Sequence, residues 1–291
     1  MKKVILIFSI LCLIVVSCNK ESAQIRKPEQ KPVNYMVLLD LSDRLLSPGQ
    51  SNRDIEIIKS VFEEYNSQVR KNLVINSHDK FQVIIAPQKE ISYNTEEFEN
   101  ALFIDMGTLN SGMKINNLTG FGNNLSIKLK KLYEIADLGD KTSDFPGAGI
   151  WQFFNENLEY LAEEKYENYL VVITDGYFDL EDYGKQLPVI NRFPTTSFLS
   201  DVRNSISWRE NLEKNDMGLL PVKKSFQNMK IIVSELNPKY DFQYEADMLT
   251  YVWTKWCREM NVADIQVITK TSLPQTINLL RNRLNTGGQT I

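Results

Sequence analysis

Two apolar runs, each stopped by an aspartate, constrain this chain most. Met36, Val37, Leu38 and Leu39 lead into Asp40-Leu41-Ser42-Asp43-Arg44, and Tyr169 to Ile173 lead into Thr174-Asp175-Gly176. A short unbroken apolar run suits a strand covered on both faces, as in a parallel sheet, better than a strand with one wet side. Further apolar runs at 81–86, 229–233 and 265–268 read as strands, and 91–94 reads as a short edge strand. Helical spacing covers 51–70, where Ser51 or Asn52 is placed to cap and Ile55, Ile57, Ile58, Val61, Phe62 and Tyr65 share a face. It recurs at 96–104, 124–136, 150–161, 198–212, 245–260 and 274–284, while the Gly- and Asn-rich remainder of 95–122 reads as loop. This alternation predicts an α/β fold: a doubly wound, mostly parallel sheet with helices on both faces. Open sheets of this kind place ligands beyond the carboxyl ends of their strands, which makes Asp40, Ser42 and Asp175 the candidate site.

Asp40-Leu41-Ser42-Asp43-Arg44, followed much later by Ile173-Thr174-Asp175-Gly176, resembles the von Willebrand factor A (VWA) fold with its metal-ion-dependent adhesion site. That pattern is Asp-x-Ser-x-Ser, a Thr on a middle loop, and an Asp closing a later strand. The resemblance implies a magnesium or manganese ion held by Asp40, Ser42, a middle-loop hydroxyl and Asp175, with a partner protein's carboxylate completing the shell. Thr142 and Ser143 both fit the middle-loop position, Thr142 being preferred. Arg44 stands where the family has its last Ser. A guanidinium has no lone pair to offer a metal. It either enters the crevice and pairs with Asp40 or Asp175 in the metal's stead, or turns outward and leaves weak metal binding, the preferred expectation.

The N-terminus reads as an export signal: Met1-Lys2-Lys3, an apolar stretch over 4–16, and Ser17-Cys18. Val15-Val16-Ser17-Cys18 also resembles the bacterial lipobox, which implies cleavage before Cys18 and acylation of its sulfur. The expected organisation is a signal peptide at 1–17, a lipidated cysteine and disordered tether at 18–33, and a VWA-like domain at 34–291 with a long insertion at about 177–228. Two or three acyl chains hold a protein on a membrane stably. The expected location is therefore the bacterial cell envelope, lipid-anchored and either periplasmic or surface-facing. Removal of Lys2 and Lys3 from 33 basic and 37 acidic residues moves the net charge from −4 to −6, and no basic block interrupts the chain. Nucleic acid is thus excluded as the expected partner.

Of the three cysteines, Cys12 lies in the signal and Cys18 carries lipid, so Cys257, beside Trp253, Trp256 and Met260, is expected in the core. The single histidine, His78, rules out a multi-His zinc site. Asp179, Glu181 and Asp182 read as a solvated acidic turn. The 177–228 stretch begins at the candidate site and is expected to form a lid or partner surface. A haloacid-dehalogenase-like phosphatase is the alternative class, since it too opens with a strand ending in Asp and carries a later acidic motif like 174–179. Ser42 occupies the place where that family needs an acid-base Asp, so the expectation is a noncatalytic binding domain.

Overall fold

The run before Asp40 forms β1 (Val33–Leu39), buried along its whole length. In the computed structural model, residues 31–89, 91, 93–179 and 190–285 are described. Contacts divide the chain into Met1–Lys31 and Pro32–Ile291. The signal, Cys18, nearly all of the tether, Glu181 and Asp182 lie outside the described residues.

From β1 the chain continues through α1 (Gln50–Lys71), β2 (Lys80–Ile85), α2 (Thr95–Ala101), β3 (Phe103–Asp105) and α3 (Ser111–Ala136). After α4 (Ile150–Glu156) and α5 (Leu158–Leu161) come β4 (Glu167–Ile173), β5 (Arg192–Phe193), α6 (Trp208–Lys214) and β6 (Gly218–Leu219). The chain then forms β7 (Met229–Leu236), α7 (Glu245–Glu259), β8 (Asp264–Thr269) and α8 (Leu273–Asn285). The main sheet runs β3-β2-β1-β4-β7-β8, parallel throughout except for β3. This is the expected doubly wound α/β class, with the order reversing between β1 and β4.

Alternation along the strands divides the core between two faces. Tyr35, Val37, Leu39, Val171 and Ile173 pack against α1, α3 and α8, whereas Met36, Leu38, Leu170, Val172, Ile231 and Val233 pack against α4 and α7. Cys257 is fully buried on the second face, as are Trp253 and Trp256.

Several local expectations give way to tertiary context. Helix α1 is preceded by Gly49 at φ +76 and has no side-chain cap from Ser51 or Asn52. The edge strand is β3, not 91–94, and it cuts short the helix expected to reach 104. Helix α3 begins at Ser111, far ahead of the expected 124, because Leu118, Phe121 and Leu125 bury enough apolar surface to override three helix-weakening glycines. One of these, Gly122, is also a contact: a Cβ there would lie 2.9 Å from the Phe62 ring. The insertion is no lid in its described part. Phe198, Leu199, Val202, Leu212, Val222 and Phe226 join the second core, and Leu220 accepts hydrogen bonds from the indoles of Trp151 and Trp256 at 2.6 and 2.9 Å.

Phe62 is wedged among Tyr65, Phe81 and Phe121, with ring centroids 5.3 to 5.7 Å away, and has little room to retreat. Gly122→Val is expected to cost about 1–3 kcal/mol by overpacking. Urea denaturation should show a lower midpoint with unchanged slope; an unchanged midpoint would mean that α1 and α3 do not meet at this glycine.

Candidate functional site

Leu39 pairs with Ile173 in the β1–β4 ladder, so Asp40 and Thr174 leave the sheet side by side at the reversal point. The Asp40 amide donates to the Ile173 carbonyl at 3.1 Å, carrying the ladder one residue past the strand. Both oxygens of the buried Asp40 carboxylate are engaged. Oδ1 accepts from the Ser42 amide at 3.0 Å and Oδ2 from the Thr174 hydroxyl at 2.6 Å. Asp175 Oδ1 accepts from the Tyr177 amide at 3.2 Å, across Gly176 at φ +99. Short turns of this kind suit Asp, and the positive φ suits Gly.

Beside these tips lies a cleft of about 480 Å³ whose lining includes Asp43, Arg44, Thr142, Asp175, Glu235 and Lys239. Thr142 opens a short 3-10 turn, Thr142–Asp144, and is exposed on the cleft. Ser143 is absent from the lining and its hydroxyl reaches only Asp144, at 3.5 Å. Of the four expected residues, Asp175 and Thr142 line this cleft, whereas Asp40 is buried at the tip of β1 and absent from the lining. Ser42 itself is buried ahead of the 3-10 turn Asp43–Leu46.

Arg44 takes neither of its two expected positions. Its guanidinium is buried and forks onto Asp54 of α1 at 2.7 and 3.0 Å, touching Asp40 only at the backbone carbonyl, 3.2 Å away. Asp54 also accepts from Gln50 at 2.8 Å and Tyr133 at 3.0 Å. Burial would lower the Arg44 pKa, but Asp54 outweighs it and the guanidinium stays charged. A neighbouring pair, Arg53 with the buried Glu235, ties α1 to β7, where Glu235 sits at φ +73.

The cation facing Asp175 is instead Lys239. Its Nζ lies 2.7 Å from Asp179, 2.9 Å from Asp43 and 3.4 Å from Asp175. Among the described residues no group of three or more His, Cys, Asp or Glu is disposed to hold a metal ion. With both Asp40 oxygens satisfied internally and an ammonium against Asp175, the residues as placed do not fit a divalent cation. Asp43, Asp179 and Lys239 were missed as a group in the sequence. No sequence signal joins them: β7 lies beside β4 in the sheet, and this pairing brings the loop after Leu236 to the same edge as Asp175.

No protein-family model matches the chain, and no curated protein sequence matches it. Solved structures give remote likenesses. Proximal thread matrix protein 1 from the mussel byssus is 12% identical, with TM-score 0.36 over 89% of this chain and 48% of that one. The pilus adhesin SpaC from Lactobacillus rhamnosus GG is 8% identical, with TM-score 0.39 over 89% and 30%. A variant of the PilB minor pilin from Streptococcus sanguinis is 10% identical, with TM-score 0.39 over 90% and 64%. The chain spans 48%, 30% and 64% of their respective lengths, and at these values the likeness carries nothing about function.

Burial, with the Asp40 charge behind it, pushes the Asp175 carboxyl up to about 7, against the pull of Lys239 and Arg44. Between the ordinary carboxylate range and about pH 7, the folded state therefore keeps a proton that the unfolded chain has released. Stability contributed by this group is complete at acid pH and falls as pH rises toward 7. Denaturation profiles at pH 4.5 and 7.5 should show a wild-type loss on raising the pH that Asp175→Asn reduces; parallel profiles would contradict the assignment.

Proposed function

We propose that the chain is a noncatalytic, VWA-like binding domain, tethered to the bacterial cell envelope through Cys18, that engages a protein partner at the β1–β4 cleft. The observation that supports this reading is that Asp175, at the tip of β4, and Thr142, distant from it in sequence, line one cleft beside the reversal point of a doubly wound sheet. Such points are where open α/β sheets bind their ligands. The phosphatase reading has less support, because a nucleophilic Asp40 must reach substrate and Asp40 is buried and absent from the cleft lining.

A photo-crosslinking residue at Thr142, on the cleft, should give one discrete adduct in envelope preparations. The same residue at Tyr160 should give none, because Tyr160 is 80% exposed beside Leu161, whose carbonyl holds Asn34 at the opposite end of the sheet. Purified full chain should also turn over no member of a phosphoester panel. Equal adducts at both positions would remove the cleft from partner binding, and magnesium-dependent turnover abolished by Asp40→Asn would establish the phosphatase class.

A further inference from the structure

We infer that β8 is a docking edge for a second copy of this chain, which adds its own β8 antiparallel across a two-fold axis and joins the two sheets. β8 ends the main sheet, and among the described residues it pairs with β7 alone. The ladders decide which backbone groups it leaves open. The Thr174 amide donates to the Ser234 carbonyl at 3.1 Å, so Ser234, Ile232 and Lys230 turn their backbone groups to β4, and Ile231 and Val233 turn theirs to β8. In a parallel pair each such residue bonds the two residues that flank its partner. Ile231 is level with Ile265 and Val233 with Val267, so these bonds go to Asp264, Gln266 and Ile268. The Lys270 amide continues the series, donating to the Leu236 carbonyl at 2.8 Å. Ile265, Val267 and Thr269 therefore turn both N–H and C=O away from the sheet.

An open strand edge is a template for another strand, and proteins blunt it with short length, Pro, Lys or a bulge. The opposite edge is blunted in this way: β3 has three residues, and its Asp105 carbonyl accepts from the Thr108 hydroxyl at 3.0 Å. β8 has six residues, Asp-Ile-Gln-Val-Ile-Thr, with no Pro or Lys among them, and the irregularity beside it falls on β7 between Ser234 and Leu236. This edge is also self-complementary. In an antiparallel pair, opposed residues of the hydrogen-bonded kind exchange both bonds. Val267 placed on the two-fold axis faces Val267 of the second copy, and Ile265 faces Thr269, so every outward group of the three residues finds a partner. The same register sets Asp264 opposite Lys270 of the second copy, twice by symmetry. Neither charge has an ion pair among the described residues: the exposed Asp264 accepts from the neutral Gln266 at 3.2 Å, and Lys270 donates to the neutral Gln50 at 2.7 Å. Opposed unlike charges stabilise such a pairing and like charges destabilise it. Antiparallel addition sets the carboxyl edge of one sheet beside the amino edge of the other, so the two β1–β4 clefts face opposite ways.

Sedimentation equilibrium of the purified full chain in detergent, from micromolar to submillimolar concentration, tests the pairing. Wild type should pass from monomer to dimer and no further, because a contact that uses the same patch on both copies closes at two. Asp264→Lys sets lysine against lysine at both ends of the seam and should weaken the dimer about tenfold or more. Lys270→Asp sets aspartate against aspartate and should do the same. An equimolar mixture of the two variants should associate again, since each then meets the opposite charge at both ends. If Lys270→Asp does not fold, hydrogen exchange of the wild type decides: residues 264–270 should exchange more slowly as concentration rises, and residues 103–105 of β3 should not. A wild type that stays monomeric, association that runs beyond two, or a dimer unweakened by Asp264→Lys would overturn the inference. So would folded single variants that fail to associate when mixed, or exchange at 264–270 that ignores concentration.

Discussion

The parallel pairing of β1 with β4 is the constraint on which the rest of the structure depends. It continues one residue beyond the strands, where the Asp40 amide meets the Ile173 carbonyl, and one layer outward, where the Thr174 hydroxyl meets the Asp40 carboxylate. Sheet order reverses at this seam, so the following segments diverge, α1 to one face and the insertion to the other. The divergence leaves a cleft that neither face fills. A polar cluster at such a seam is inexpensive only when its members satisfy one another, since a buried unpaired polar group costs about 1–3 kcal/mol. Asp40 meets that condition through Ser42 and Thr174.

Charge around the seam is organised into three linked sets. Arg44 with Asp54 fastens the first loop to α1, Arg53 with Glu235 fastens α1 to β7, and Lys239 joins the loops after β1 and β4 through Asp43, Asp175 and Asp179. Buried ion pairs contribute little net stability against a well-packed apolar replacement, yet removing one partner costs about 3–5 kcal/mol. Their effect here is positional. Each joins two segments that are distant in sequence at the same edge of the sheet.

The five parallel strands of the main sheet were legible in the sequence because buried parallel strands are continuous apolar runs, and the places of Asp40 and Asp175 followed from where two of those runs stop. The preference for Thr142 rested on the resemblance, and its side of the loop before α4 lines the cleft. The early start of α3 was not legible, because Gly112, Gly120 and Gly122 oppose a helix locally, and of the three only Gly122 has a packing reason, its fit against Phe62. The destination of Arg44 had a signal that went unused: Gln50 and Asp54 fall on the same stripe of α1 as Ile57, Ile58, Val61 and Tyr65, and an acid on a buried stripe calls for a cation. Lys239 was beyond reach because its partners converge from three loops, and the β4–β7 adjacency that joins them is a matter of topology.

The central claim is that the two strand tips act as one locked unit. A double-mutant cycle of Asp40→Asn and Thr174→Val, read by urea denaturation of the full chain, tests it most directly. The two residues share a buried hydrogen bond of 2.6 Å, so their effects should be coupled by about 1 kcal/mol or more. Effects that add within about 0.3–0.5 kcal/mol would show that the tips are independent, and the reading of this edge as a built recognition surface would fall with them.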